Sequence, residues 1–188
     1  RQGKQSNKIK FLDFRHSNHC NLKCRYCGPH FSNQWAKELG SDQSLVHTDF
    51  SKHTHNLITD ELTDIYWCGG EPLIIKDHYD FNQHLIDAGL SKNINLRYNT
   101  NLTVLKYKSV DLLKMWEQFK SVTLDISLDA AGPEVNYIRS GSNWDDIAKN
   151  IKSIIDSKHA GITVRITPVI SLMNVWFLPT LVKYAREY

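Results

Sequence analysis

The hydrophobic pattern of the 188-residue chain alternates between two periods. Short apolar runs with strand character are each followed by a stretch in which apolar residues recur every three or four positions, the spacing of an amphipathic helix. Ser32 or Asn33, Ser109 and Asn143 are the expected N-caps, and Gly40 closes the first helix. The strands are expected at 9–14, 64–68, 95–98, 121–128 and 161–170, and the helices at 33–39, 77–88, 109–116, 144–155 and 178–188.

Five strand–helix repeats predict a parallel sheet with right-handed crossover connections. The glycine fingerprint of dinucleotide-binding folds, G-x-G-x-x-G, is absent. We therefore expect an α/β fold of the partial (βα) barrel kind. In such barrels the reactive groups lie on the loops that follow the carboxyl ends of the strands.

The composition is that of an ordinary globular protein, with 41% hydrophobic residues, 23% charged residues and a formal net charge of +3. Lysine and arginine are scattered along the chain, so nucleic acid is not an expected partner. No apolar run is long enough to span a membrane, and no signal peptide is visible. Clustered, reduced cysteines favour a cytoplasmic location.

Three of the four cysteines, Cys20, Cys24 and Cys27, lie on one loop directly after the first strand. Thiolates are the ligands of iron–sulfur clusters, and a four-iron cluster on three cysteines leaves one iron open to another ligand. A zinc site made by the same cysteines with His30 stays open as an alternative. The fourth cysteine, Cys68, is interpreted as a small buried hydrophobic residue.

Polar motifs also follow the next three strands of the predicted sheet. Because the carboxyl ends of parallel strands meet at one edge, these motifs and the cysteine loop are expected to surround one site. The motifs are Gly69-Gly70-Glu71-Pro72, Asn99-Thr100-Asn101 and Ser127-Leu128-Asp129, with Arg139 ten residues after Asp129.

Together these motifs resemble the radical S-adenosylmethionine (radical SAM) enzymes, whose hallmark is C-x₃-C-x-Φ-C with an aromatic residue at Φ, here Tyr26. The resemblance covers residues 9–187 and implies a [4Fe–4S] cluster on the three cysteines and S-adenosylmethionine as cofactors. It implies reductive cleavage of S-adenosylmethionine to a 5′-deoxyadenosyl radical that abstracts hydrogen from a substrate. It also implies an electron donor such as a flavodoxin or ferredoxin.

The resemblance further assigns roles to single residues. Gly69 to Pro72 match the loop that binds the amino group of the methionine part, with Glu71 orienting the loop rather than acting as a base. Tyr26 is expected near the adenine, and Ser127 and Asp129 near the ribose hydroxyls. Arg139 matches an arginine for the methionine carboxylate, and Asn99 and Asn101 match a polar stretch after the third strand. Ala130 departs from the pattern, because relatives often have glycine there.

A finer resemblance concerns the stretch from Cys27 to His30 and Trp35, which is similar to radical SAM proteins of the twitch/SPASM type. Those proteins often act on peptides, so a peptide substrate is expected. We expect residues 1–188 to be a core domain with a polar lead at 1–8, lacking a sixth strand and a C-terminal auxiliary domain. The histidine-rich segment 47–55 is expected to be a solvated connection. The alternative function is a non-catalytic zinc- or iron–sulfur-binding module.

Overall fold

A computed structural model describes residues 8–15, 17–41, 54 and 57–187 of the chain. The histidine-rich segment except residue 54, and most of the polar lead, lie outside these residues. The strands are β1 (Phe11–Phe14), β2 (Lys23–Cys24), β3 (Asp64–Trp67), β4 (Asn95–Thr100), β5 (Lys106–Tyr107), β6 (Val110–Asp111), β7 (Ser121–Ile126), β8 (Arg139–Ser140) and β9 (Ile162–Ile166). The helices are α1 (Asn33–Glu38), α2 (Lys76–Asp87), α3 (Leu112–Trp116), α4 (Glu134–Ile138), α5 (Trp144–Asp156) and α6 (Leu178–Arg186).

The main sheet contains five parallel strands in the order β1-β3-β4-β7-β9. Each strand pairs with the next long strand of the chain, so the sheet winds in one direction and the order never reverses. Right-handed crossovers in such a sheet place the helices on one face. The predicted α/β fold with parallel strands is confirmed.

The helix-covered face of the sheet carries the hydrophobic core. Phe14, Trp67, Tyr98 and Leu124 stand side by side in the register of four neighbouring strands, and all four are buried. Phe81 of α2 lies edge-on to both Phe14 and Trp67. Because side chains alternate along a strand, the residues between these apolar positions point to the opposite face.

Two short antiparallel ladders were not expected from the sequence. β5 pairs with β6, which moves the start of α3 from the expected Ser109 to Leu112, with Asp111 as the N-cap. β2 pairs with β8 and places Cys24 opposite Arg139. Segments of two residues have no periodicity of their own, so pattern reasoning could not find them.

The last strand is shorter than predicted, because it ends at Ile166 rather than at residue 170. The backbone leaves the sheet after Thr167, whose amide still donates to the carbonyl of Ile126. The other helix boundaries agree closely with the pattern, and Asn143 caps α5 as predicted by accepting from the amides of Asp145 and Asp146. In the described part of the chain no helix is both long and apolar enough to cross a membrane.

Candidate active site

The cysteine loop lies between β1 and α1, and α1 holds its backbone in place. The side-chain oxygen of Asn33 accepts from the amide of Cys20 at 2.9 Å, and Trp35 Nε1 donates to the carbonyl of Cys24 at 2.9 Å. These bonds join the cysteine loop to a helix. The backbone at Cys20 and Cys24 is therefore held in place by α1.

The three cysteines line one cavity of about 470 Å³ at the carboxyl ends of the sheet strands. This volume is within the usual range of cofactor pockets. Arg15, His30, Cys68 and Val169 also contribute to its wall. The other predicted site residues that line the cavity are Tyr26, Gly69, Gly70, Glu71, Asn99, Asn101, Ser127 and Arg139.

The spacing of the thiols does not suit a single ion. Among the described residues, no three His, Cys, Asp or Glu side chains stand close enough together to ligate one metal ion. The zinc site considered for the cysteines and His30 is thus not assembled in the described geometry. The three cysteines share the wall of one cavity, which suits a larger group, since a four-iron cluster presents its iron atoms at separate corners.

The surroundings of Cys20 and Cys24 disfavour the thiolate form. Burial raises the pKa of Cys20 to about 12. The hydrogen bond with Cys27, together with burial, raises the pKa of Cys24. Burial disfavours the thiolate, whereas a bound metal stabilises it. The hydrogen bond with Cys24 lowers the pKa of Cys27, so the cavity combines one thiol that ionises more readily with two that a bound cation would stabilise as thiolates.

The two glycines after β3 are required by packing against the cysteine loop. A Cβ on Gly70 would lie 2.1 Å from the carbonyl oxygen of His19, and one on Gly69 would lie 2.6 Å from that of Ser17. Gly69 also has a φ of +96°, which L-residues rarely adopt. The amide of Gly70 donates to the carbonyl of Ser17 at 2.8 Å. The glycine pair therefore joins the end of β3 to the loop that carries the thiols.

Glu71 is buried, and its carboxylate bonds to the chain on both oxygens. Oε1 accepts from Leu73 N at 3.1 Å and from Thr100 Oγ1 at 2.7 Å, and Oε2 accepts from Asn101 N at 2.6 Å. The side chain thereby caps the short 3₁₀ turn Pro72–Ile74 and ties it to the end of β4. This geometry suits the orienting role expected for Glu71.

Arg139 reaches the cavity because β8 pairs with β2. It is 5% exposed, its Nε lies 2.7 Å from Asp129 Oδ2, and its Nη1 lies 3.8 Å from Cys24 Sγ. Tyr26 also donates to Asp129 Oδ2 at 2.7 Å, and Asp129 Oδ1 accepts from the amide of Val169 at 2.8 Å. One buried carboxylate thus orients an arginine and a tyrosine on the wall of the cavity.

A sequence model of the Radical SAM superfamily matches residues 14–174. The chain belongs to the radical SAM superfamily. The match includes the cysteine loop, the strand-end motifs and Arg139. It therefore accounts for the whole wall of the cavity and not only for the cysteines.

Three relatives and one solved structure are similar to this chain. GTP 3′,8-cyclases of Campylobacter lari and Aliarcobacter butzleri are 27% and 26% identical over 79% and 86% of this chain, covering 42% and 47% of their own lengths. An uncharacterized protein of Methanocaldococcus jannaschii is 26% identical over 94% of this chain and 58% of its own. The crystal structure of Streptococcus suis SuiB bound to S-adenosylmethionine superposes with a TM-score of 0.58 at 18% identity, over 96% of this chain and 36% of SuiB. The chain thus spans about half the length of the relatives it matches.

Radical SAM enzymes use a [4Fe–4S] cluster and S-adenosylmethionine, and the chemistry of the residues in the cavity wall suits both. Three thiols supply sulfur ligands, the glycine loop supplies backbone groups and Arg139 supplies a fixed positive charge. The SuiB likeness shows the same fold, which confirms the partial-barrel prediction. The finer twitch/SPASM assignment is not shown.

Two predicted site residues do not line the radical SAM cavity. Asp129 is completely buried behind Arg139, and both its oxygens are engaged. In this arrangement its carboxylate orients Arg139 and Tyr26. Pro72 is buried as the first residue of the 3₁₀ turn, where its fixed φ favours the turn.

Asn99 and Asn101 both line the cavity but differ in exposure and in hydrogen bonding. Asn99 is exposed, whereas Asn101 donates to the side chain of Asn21 at 3.0 Å and so ties β4 to the cysteine loop. Sequence reasoning missed Thr100 as a partner of Glu71 and considered Asn33 only as a helix cap. In the sequence, Thr100 stands out only by lying within a predicted motif, and Asn33 only by lying at a predicted helix start. Neither position reveals the residue that its side chain contacts.

Proposed function

We propose that the chain binds the [4Fe–4S] cluster through Cys20, Cys24 and Cys27 and is the S-adenosylmethionine-cleaving part of a radical SAM enzyme. The observation that carries the proposal is that the three thiols share one cavity with Arg139 and with the glycine loop after β3. When bound, the cluster and S-adenosylmethionine supply one-electron cleavage and hydrogen abstraction from a substrate. The protein itself binds, orients and shields these groups.

The polar groups of the wall are suited to the two ends of an amino acid. We assign the carboxylate to Arg139, because a guanidinium grips a carboxylate with two parallel hydrogen bonds and this one is already held by Asp129. We assign the ammonium to the backbone around Gly69 and Gly70, because carbonyl oxygens accept from it. The aromatic ring of Tyr26 lines the cavity and offers an apolar surface to the adenine.

The substrate is a separate proposal. We propose a peptide, because the stretch from Cys27 to His30 is similar to proteins of the twitch/SPASM type. The relatives named GTP 3′,8-cyclase make GTP the second candidate. Both should be offered, with dithionite or a reduced flavodoxin as the electron donor. A reducing, cytoplasmic environment suits this chemistry, since all four cysteines are free thiols.

The chemical test is anaerobic reconstitution with iron and sulfide, followed by absorbance and electron paramagnetic resonance with and without S-adenosylmethionine. We expect about four irons per chain, a spectral change on adding S-adenosylmethionine, and 5′-deoxyadenosine after reduction. Cys24→Ala should lose the cluster, whereas the matched control Cys68→Ala should keep it, with a packing loss of about 1 kcal/mol. A full iron content in the Cys24 variant, or a spectrum indifferent to S-adenosylmethionine in the unmodified protein, would contradict the proposal.

We also propose that a further segment, with a sixth strand and an auxiliary domain, packs beside β9. The supporting observations are an apolar cavity of about 310 Å³ lined by Ile154, Ile162, Val164 and Tyr184, and the greater length of the relatives. A longer chain should melt at a higher temperature than these 188 residues. Equal melting temperatures would count against the added segment.

A further inference from the structure

The face of the sheet opposite the helices is polar and open. Its residues are those that alternate with the apolar core positions, and most of them remain partly or fully accessible. A face covered only by solvent needs no charged network to stay folded, and exposed ion pairs contribute little to stability. Charged residues held in fixed positions there are therefore available to bind a ligand. The side chains that form the network are Asp13, Arg15, Tyr66, Arg97, Asp125 and Arg165.

Asp125 of β7 is the centre of this network. Its side chain is only 2% exposed, although it stands on the open face, because two arginines from the neighbouring strands cover it. Arg97 Nε donates to Oδ2 at 2.6 Å, and Arg165 donates from Nε to Oδ1 at 2.7 Å and from Nη2 to Oδ2 at 3.1 Å. Burial opposes ionisation, but the hydrogen bonds from Arg165 and Arg97 hold the pKa of Asp125 below its usual range.

The two guanidinium groups keep donors for a second acceptor. Their side chains are 53% and 49% exposed. Arg97 uses only Nε, and within the described residues its two terminal amino groups make no hydrogen bond; Arg165 likewise keeps Nη1. Asp125 fixes the orientation of both groups, so their remaining N–H bonds are presented without the loss of side-chain entropy that free arginines would suffer.

Tyr66 extends the network toward the cysteine loop. Arg97 lies over its ring at 4.9 Å and Arg15 lies near the same ring at 5.8 Å. Arg15 in turn is paired with Asp13 at 3.0 Å. Toward the carboxyl ends of the strands, three arginines stand against two aspartates, and this half of the face therefore carries excess positive charge.

The network is continuous with the candidate active site. Arg97 and Asp125 each stand two residues before Asn99 and Ser127, which line the cavity, and two residues of strand span about 7 Å. Arg15 lines the cavity itself. A molecule that lies on the open face and reaches the cavity therefore passes over these arginines.

We infer that the substrate carries an oxyanion, a phosphate or a carboxylate group, that binds to Arg97 and Arg165 on the open face of the sheet. Planar guanidinium groups with paired donors match both kinds of oxyanion. The inference rests on the proposed function only in calling the ligand a substrate. The arginine pair binds its ligand whether or not S-adenosylmethionine is cleaved.

The test measures binding of two probes, pyrophosphate and succinate, to the cluster-loaded protein by isothermal titration calorimetry. S-adenosylmethionine is added first, so that Arg139 is already occupied. We expect one probe to bind, and the identity of that probe distinguishes phosphate from carboxylate. Arg97→Lys keeps the charge next to Asp125 but loses the planar fork, so its affinity should fall about tenfold. Arg165→Lys should behave alike, and either variant suffices if the other fails to fold.

The matched control is Arg186→Gln, which removes an arginine from the exposed end of α6. It should bind the probe as the unmodified protein does. Failure of both probes to bind, or equal affinities in the unmodified protein and both lysine variants, would overturn the inference. Iron content and 5′-deoxyadenosine formation are measured on the same unmodified sample. With iron retained, loss of 5′-deoxyadenosine formation alone would count against the proposed function and leave the oxyanion site standing.

Discussion

The substitution Gly70→Ala tests whether the glycine pair is needed for the contact between two loops. An alanine Cβ would lie 2.1 Å from the carbonyl oxygen of His19 and 2.7 Å from the carbonyl carbon of Asn18, whereas ordinary contacts begin at 3.4 Å. Both of these atoms belong to backbone, so no side chain can rotate out of the way. The strand end must move by about 1 Å, and two hydrogen bonds of 2.8 Å are then lost, Gly70 N to Ser17 O and Glu71 N to His19 O.

The expected cost can be added up from these parts. Overpacking costs about 1–3 kcal/mol, and each buried donor left without an acceptor costs about 1–3 kcal/mol. Partial relaxation leaves a loss on the order of 3–5 kcal/mol, which is a large part of the stability of an ordinary domain. The shift also moves the backbone next to Cys20, so cofactor binding should weaken together with stability.

Urea denaturation followed by circular dichroism measures the free energy of unfolding, and iron content after reconstitution measures the site. The control is Gly28→Ala, because Gly28 lies in the cysteine loop but a Cβ there would meet nothing within 4 Å. We expect the control to stay within about 0.5 kcal/mol of the unmodified protein. If Gly70→Ala were equally mild and kept its iron, the explanation by contact with His19 would be wrong.

Two further predictions concern charged groups of the cavity. Arg139→Lys should weaken S-adenosylmethionine binding by about 1–2 kcal/mol, measured by calorimetry on the cluster-loaded protein, because the planar fork is lost. The control is Arg25→Lys in the cysteine loop. Equal dissociation constants for the Arg139 variant and the unmodified protein would place Arg139 outside the binding site. Burial raises the pKa of Glu71 from 4.5 to about 7. The folded state therefore binds the proton more tightly than the unfolded state. The free energy of unfolding should fall by about 3 kcal/mol as the pH rises between these two values. Urea denaturation of the reduced, cluster-free protein at pH 5 and pH 8 measures this fall in unfolding free energy, and Glu71→Gln should lack it. Equal changes with pH in the two proteins would show that the pKa of Glu71 is not raised.

The sequence already determined much of this protein. The period of the apolar residues gave the order and type of the main elements, because helices and strands differ in how often a side chain returns to the same face. The three cysteines and the glycine loop were recognisable because each motif lies within a few consecutive residues. Their location at one edge of the sheet could be predicted because the carboxyl ends of parallel strands lie at the same edge.

The role of each residue inside the site depended on tertiary structure. Arg139 stands beside Cys24, 115 residues away, through a ladder of two residues on each side. Asp129 matched a ligand motif, yet it is buried and bonded to Tyr26 and Arg139. Neither contact can be predicted from the local periodicity of the sequence.

The arginine network on the open face shows the same division. The sequence places Arg97, Asp125 and Arg165 on three different strands and predicts that all three strands are parallel. Whether these side chains meet depends on the register between strands, since a slip of one residue would turn Asp125 into the core. The local pattern of residues determines which elements form. The packing of distant elements determines which functional groups come into contact, and this can be seen only in the folded chain.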